Sequence, residues 1–257
     1  MDLSSRIRRV AEALSRAERI LVITGAGLSA DSGLPTYRGL GGLYNGVTEE
    51  GIPIEEAISG PMLQRDPALC WKYLALLGRA CLAARPNGGH RAIARLQALK
   101  PQCWVLTQNI DGYHRQAGSP AERLIEIHGE MAPLFCQSCG RESDHVSQYL
   151  ERELPPRCDG CGGILRPSVV LFGEMLPEQA VDTLYAQLRQ GFDAVLAVGT
   201  TAGFPYISEP VLRTRQQGGF TAEINPAVTD LSPVVQVHLK GRALDVLEEL
   251  LSHISID

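Results

Sequence analysis

The stretch Ile20-Leu-Val-Ile-Thr-Gly-Ala-Gly-Leu-Ser-Ala-Asp-Ser-Gly-Leu-Pro-Thr-Tyr-Arg38 decides the fold. Ile20 to Ile23 have the character of a short buried parallel strand, and Gly25-Ala26-Gly27 follows where a strand would turn into a helix. Small residues at such a turn let backbone N–H groups approach a phosphate, and the positive end of a helix favours its charge. The full G-x-G-x-x-G fingerprint is incomplete, because position 30 is Ala and the next glycine is Gly33. A tight strand-to-helix turn with no ligand accounts for Gly25 to Gly27 equally well. The continuation from Ser29 to Arg38 is too polar and too punctuated by Gly and Pro for a long helix. It reads as a loop able to close over a ligand, with Arg38 as a cation to meet it.

Further along, Cys103-Trp-Val-Leu-Thr107 reads as a second buried strand ending in Gln108-Asn109-Ile110-Asp111, and Leu124-Ile-Glu-Ile127 as a third ending in His128-Gly129-Glu130. Polar residues just past the C-terminal ends of strands are where open α/β sheets bind ligands. Phe192 to Thr201 closes on another small-residue turn at Gly199, and Phe220 to Pro226 carries Asn225 at its end. Val234 to Leu239 supplies the last strand. Helical periodicity predicts amphipathic helices over about Ser4–Ala17, over a region from Pro67 to Arg85, after a cap at Asn87, over about Leu176–Arg189, and from Gly241 to Leu250. His90, near a helix start, reads as a structural hydrogen-bonder rather than a ligand contact. Strands alternating with helices give an α/β, Rossmann-like doubly wound parallel sheet.

One insertion interrupts it. Cys136-Gln-Ser-Cys139 and Cys158-Asp-Gly-Cys161 are separated by eighteen residues, the C-x2-C-x(15–20)-C-x2-C spacing of a zinc ribbon. Four thiolates leave no open position for water or substrate, so the metal should hold a small module together rather than catalyse. Residues 1–130 and 168–257 are expected to form the Rossmann-like domain and 131–167 the zinc module, with a helical contribution to the small domain from about 39–85.

A net charge of −5 argues against a general nucleic-acid or membrane-surface binder, since nothing supplies a broad basic field. No apolar run approaches the ~20 residues of a membrane span, and the first residues lack the apolar core of a signal peptide. Seven cysteines, an odd number, fit a reducing compartment. The expected location is the cytoplasm.

Gly25 to Arg38, Thr107 to Asp111, His128-Gly129, the four cysteines, Val170-Leu-Phe-Gly-Glu174, Gly199-Thr-Thr201 and Asn225 occur in one order that resembles the sirtuins, NAD-dependent protein deacylases, in their bacterial form. The resemblance implies a large NAD-binding domain, a small zinc domain, and NAD and an acyl-lysine peptide meeting in the cleft between them. By that resemblance Gly25, Ala26, Gly27, Tyr37 and Arg38 would contact the NAD diphosphate and its surroundings, with Tyr37 where the family usually has Phe. Gln108 and Asn109 would hold the nicotinamide ribose, and Ile110 and Asp111 would line the nicotinamide pocket. Gly199, Thr200, Thr201, Asn225 and Ala243 would face the adenosine side, although the family more often has Ser at the position of Thr201. Val170, Phe172, Gly173 and Glu174 would flank the peptide, as in strand addition. His128 would be the base that helps a ribose hydroxyl attack after the acyl oxygen has displaced nicotinamide, with Gln108 and Asn109 beside it.

Family members that remove succinyl or malonyl groups resemble one another in a Tyr-x-x-Arg pair ahead of the His matching His90. Leu74 and Leu77 stand there in this chain, so neutral acyl groups are expected to be preferred. Protein ADP-ribosylation would use nearly all of the same residues and stays open at this level. A non-enzymatic zinc-ribbon binding module fits the acidic charge and the polar cluster poorly. A dehydrogenase fits poorly too, because no second strand leads into Glu49 and Glu50.

Overall fold

In the computed structural model, which describes residues 2–35 and 47–254, β1 (Arg19–Thr24), β2 (Gln102–Thr107) and β3 (Leu124–Glu126) precede a small antiparallel sheet. That sheet consists of β4 (Leu134–Cys136), β5 (Glu142–Ser143) and β6 (Leu165–Pro167), in the order β5-β4-β6. Strands β7 (Ala194–Val198), β8 (Phe220–Ile224) and β9 (Val237–Leu239) complete a six-stranded parallel sheet in the order β3-β2-β1-β7-β8-β9. β1 and β7 are buried almost throughout because helices cover both faces. Thr24 stands level with both Thr107 and Val198, so the loops leaving β1, β2 and β7 start at one height. The chain builds outward from β1 to β3 and then returns to β7 on the other side. The switch point between β1 and β7 is where such sheets open a crevice.

One face of the sheet packs against the helices Leu3–Arg16, Gly88–Leu99 and Ala243–Ser252, the other against Glu178–Gln190 and Pro205–Gln216. The expected amphipathic faces are present: Ile7, Val10, Ala11 and Leu14 are buried, and Asp2 caps their helix by accepting the Ser5 N–H at 2.8 Å. A third core joins the Pro67–Ala83 helix to the small sheet. Trp71 is fully buried in it, its indole N–H donating to the Leu165 carbonyl at 2.9 Å. Residues between Ile54 and Ala75 thus share one core with Met131, Cys136, Cys158 and Leu165.

One expectation is corrected, and two further features come from the structure alone. The last strand covers only Val237–Leu239, because the N–H groups of Val234 and Val235 turn back onto the Leu231 carbonyl. Of the run from Leu165 to Glu174 only Leu165–Pro167 joins a ladder, and Gly173 (φ 81°) turns the chain beyond it. The helix Pro205–Gln216 was not expected at all, since Pro210 stands inside it and masks its periodicity.

Candidate active site

At the switch point the turns after β1 and β7 pack back to back. The Gly25 N–H donates to Val198 O at 3.1 Å and the Gly27 N–H to Gly199 O at 2.9 Å. A Cβ on Gly25 would lie 2.8 Å from Gly199 O, and one on Gly27 would lie 2.7 Å from the Gly199 Cα. The two glycines therefore serve the close approach of two loops, and their N–H groups are engaged within the protein rather than presented to a phosphate. The helix that follows is a single turn, Ala26–Ser29.

Above this junction lies a cleft of about 900 Å³. Gly25, Ala26 and Gly27 form part of its floor, with Gly199, Thr200 and Thr201 from the neighbouring turn and Asn225 and Ala243 at one end. Gln108, Asn109, Ile110 and His128 enter from the ends of β2 and β3. Val170, Phe172, Gly173 and Glu174 also line it, as do Leu74 and Leu77. Tyr37 and Arg38 lie outside the described residues.

The polar side chains are held firmly. Gln108 Nε2 donates to Thr200 Oγ1 at 2.8 Å, tying β2 to the β7 turn. Asn225 Nδ2 donates to Thr200 O at 3.1 Å, while its Oδ1 accepts the Ala227 N–H. Asn109, 5% exposed, donates to Gly25 O and to Ser29 Oγ. Ser29 Oγ in turn donates to Asp111 Oδ2 at 2.6 Å. Asp111 does not reach the main cleft; it lines a side cavity of about 30 Å³ together with Ser29, Asn109, Ile110 and Leu77. Burial pushes its carboxyl above the usual carboxylate range, against the opposing hydrogen bonds from Ser29 and the Tyr113 N–H.

His90 is structural, as its sequence position implies. Its Nδ1 accepts the Asn87 N–H at 3.3 Å in a capping box, which leaves Nε2 to donate to Ser29 Oγ at 3.3 Å. Sequence reasoning gave no role to Ser29, the hub that joins His90, Asn109 and Asp111.

His128 stands at the end of β3, followed by Gly129 at φ 69°, where a Cβ would meet Ser168 O at 1.8 Å. That close pass lets the Val170 N–H donate to the His128 carbonyl at 2.9 Å. The ring lies between Gln108 O, 3.0 Å from Nδ1, and the Tyr206 hydroxyl, 2.8 Å from Nε2. Burial lowers its pKa below 6.5, partly opposed by the Gln108 carbonyl. A neutral imidazole at a cleft wall can take a proton at neutral pH. Phe204 and Tyr206 were missed; the available signal was a Phe-Pro-Tyr run directly after the Gly199 turn.

On the far wall, the Glu174 carboxylate accepts both Arg166 Nη1 at 2.6 Å and Nη2 at 2.8 Å, and its Oε2 also accepts the Leu171 N–H at 2.9 Å. Burial pushes this carboxyl up, but those partners outweigh it and leave it below its usual range. Its charge is thus committed to holding the wall together. Phe172 bridges to the residues just after the Ile54–Ala57 helix, donating its N–H to Ile58 O and accepting the Gly60 N–H.

The four ribbon cysteines bring their Sγ atoms within 4.8 Å of one another, with Cys136–Cys161 at 3.5 Å and Cys139–Cys158 at 3.8 Å. Four thiolates about 2.3 Å from a tetrahedral zinc would stand about 3.8 Å apart, so the set fits that ion. Backbone N–H groups pull the Cys136 and Cys158 thiols down, towards the thiolates a metal needs, while the neighbouring sulfurs push Cys161 up. None of the four lines the cleft.

Comparison with known proteins agrees with this geometry. The Sir2 family profile matches residues 25–204. NAD-dependent protein deacylase 2 of Pseudomonas aeruginosa is 76% identical over 254 residues, covering 99% of each chain. NAD-dependent protein deacylase of Thermococcus kodakarensis is 36% identical over 250 residues, covering 95% of this chain and 94% of its own. Among solved structures, a Sir2 homologue in complex with NAD superposes with a TM-score of 0.83 at 35% identity, covering 96% of this chain and 93% of that one. A Sir2 homologue variant in complex with 2′-O-acetyl-ADP-ribose gives 0.84 at 35% identity, covering 96% and 95%. With its parallel sheet, its four-cysteine ribbon and the cleft between them, this chain belongs to the Sir2, or sirtuin, family.

Proposed function

We propose that the chain is an NAD-dependent protein lysine deacylase that removes acetyl or other neutral acyl groups, releasing nicotinamide and O-acyl-ADP-ribose. The observation that carries this reading is a neutral His128 on the wall of a 900 Å³ cleft whose floor is the β1/β7 switch point. Relatives named as NAD-dependent protein deacylases and homologues solved with NAD and with 2′-O-acetyl-ADP-ribose support it. A further homologue solved with a myristoylated histone peptide, 28% identical, supports an acyl-lysine peptide as the second substrate.

Thr200, Thr201, Asn225 and Ala243 would hold the adenosine half of NAD, with Gly25, Ala26, Gly27 and Arg38 around the diphosphate. Gln108 and Asn109 would hold the nicotinamide ribose, with Ile110 and Asp111 at the side cavity. NAD supplies the ribose carbon to which the acyl oxygen is transferred. The protein's part is to exclude water, orient the two reactants and accept a proton from a ribose hydroxyl at His128 Nε2. Asn109 and Gln108 are held by Gly25 O, Ser29 Oγ and Thr200 Oγ1, which supports a preorganised pocket. The nucleotide lobe would comprise residues 1–130 and 168–257 except for the small-lobe helices. The small lobe would pair 131–167 with the helices around 54–83, a division supported by their shared core. Among the described residues no helix is long and apolar enough to cross a membrane.

Leu74 is 1% exposed and Leu77 lines both the cleft and its side cavity. Their aliphatic surface supports a neutral acyl chain and would strip solvent from a carboxylate-tipped one without compensation. The test is nicotinamide release from NAD with acetyl-lysine and succinyl-lysine versions of one peptide, comparing wild type with His128→Ala. Acetyl-dependent release coupled to O-acyl-ADP-ribose, lost from the variant, is the expected result. Faster turnover of the succinyl peptide would overturn the acyl preference, and labelled ADP-ribose on protein without deacylation would move the assignment to transfer.

A further inference from the structure

His128 is the proposed base, yet its basic atom already has a partner. Gln108 O is a carbonyl and can only accept, so the Nδ1 that stands 3.0 Å from it carries the ring proton. The neutral ring therefore has a bare Nε2, and the Tyr206 hydroxyl 2.8 Å away must be the donor. Tyr206 is not a chance neighbour. Its ring stacks on Phe204 with centroids 5.3 Å apart and planes 10° apart. The imidazole stands at 85° to both rings, at 5.8 Å from Phe204 and 5.9 Å from Tyr206.

The backbone has been bent to put the pair there. Gly199 (φ 59°) and Ala202 (φ 52°) both take left-handed conformations, and Ala202 is the only non-glycine among the described residues with positive φ. The Ala202 N–H donates to Thr200 Oγ1 at 3.0 Å, and Pro205 then opens the helix that carries Tyr206. Burial holds the Tyr206 phenol up at about 12, so it remains a donor throughout the working range.

We propose that Tyr206 is a positioning residue for His128, a role that rests on the deacylase reading above. Its hydroxyl and the Gln108 carbonyl fix the ring from opposite ends, select the Nδ1–H tautomer and keep Nε2 unprotonated at the cleft wall until the substrate takes the place of the hydroxyl. A substrate ribose hydroxyl displaces the Tyr206 hydroxyl from the single Nε2 lone pair and meets an acceptor already oriented; its proton goes to Nε2, and the resulting imidazolium keeps its Nδ1–H on Gln108 O. Without the Tyr206 hydroxyl the ring is held at one end only.

This places the effect on the second half of the reaction. Return of the first intermediate to NAD needs no base, whereas its forward breakdown does. The test compares wild type, Tyr206→Phe and His128→Ala for exchange of labelled nicotinamide into NAD and for O-acyl-ADP-ribose formation on one acetyl-lysine peptide. The Phe variant keeps the stack on Phe204. The ratio of exchange to product formation should rise about fivefold in Tyr206→Phe, the loss of one neutral hydrogen bond, and further in His128→Ala. A ratio within twofold of wild type in Tyr206→Phe, with His128→Ala raised, overturns the role of Tyr206 and leaves the base assignment standing. A ratio unmoved in His128→Ala overturns the base assignment itself. Exchange and product formation falling in parallel in Tyr206→Phe would make the residue purely structural, which also refutes the proposal.

Discussion

Lowering the pH from 7 to 5 should remove about 4 kcal/mol of folding stability through two buried histidines, each contributing about 2 kcal/mol by proton linkage. His90 and His114 are both buried and their rings meet edge-on at 5.4 Å. Burial pushes His90 down to about 4 and His114 down to about 3, from an ordinary 6.5. Geometry agrees: protonating His90 would set an Nδ1–H against the Asn87 N–H that it now accepts. A folded-state pKa below the unfolded one means that the unfolded chain binds the proton first. The stabilisation is therefore complete above about 6.5 and is lost as pH falls towards 4 for His90 and towards 3 for His114. Urea unfolding of the zinc-loaded protein at pH 7, 6 and 5 reads the loss directly. His114→Gln should unfold with only about half the pH-dependent loss, and taking the difference between the two proteins cancels acid effects on the zinc thiolates and on His128. Equal losses in variant and wild type would refute the linkage.

Other outcomes follow from the same coordinates. Gly129→Ala would drive a Cβ to 1.8 Å from Ser168 O at a left-handed φ, costing about 3 kcal/mol; thermal unfolding checks it, and a change under 1 kcal/mol would contradict the close pass beside His128. Arg166→Met leaves the part-buried Glu174 carboxylate with only the Leu171 N–H, for a loss of about 2 kcal/mol. Kinetics with peptide and NAD varied separately should show KM rising for the peptide and holding for NAD; the reverse pattern would put Glu174 on the wrong wall. Chelation of zinc should shift Trp71 fluorescence to the red as the small core opens, with loss of peptide-dependent turnover, while Trp104, on β2 of the large sheet, reports little change. Unchanged emission with metal demonstrably removed would show that the ribbon folds without it.

The sheet was legible because β1, β2 and β7 are short, aliphatic and followed at once by the residues that line the cleft, so periodicity and strand-end chemistry pointed to the same place. The ribbon was legible from spacing alone. What lay out of reach depended on contacts between segments remote in sequence. Nothing local to Ser29 says that it joins His90 to Asp111 across residues 29–111, nor does Trp71 show that its partner is Leu165. At Gly25 and Gly27 the sequence left two readings open because a phosphate and a neighbouring backbone ask the same thing of a turn, the absence of a Cβ, and the close approach to Gly199 is visible only in three dimensions. Tyr206 was hidden by Pro210, which obscured the helix that carries it.

The shared core of the small lobe also sets an order of events during synthesis. The Pro67–Ala83 helix is complete long before the ribbon is made, and Trp71, Leu74 and Ala75 cannot be covered until Met131, Leu134 and Leu165 arrive. For that interval the nascent chain carries an exposed apolar helix whose burial waits on residues beyond Cys161, and on the ion that draws the four thiolates together. Folding yield in a cell should then track zinc supply, and a ribbon expressed by itself would carry all four ligands while lacking half of the interior it was built around.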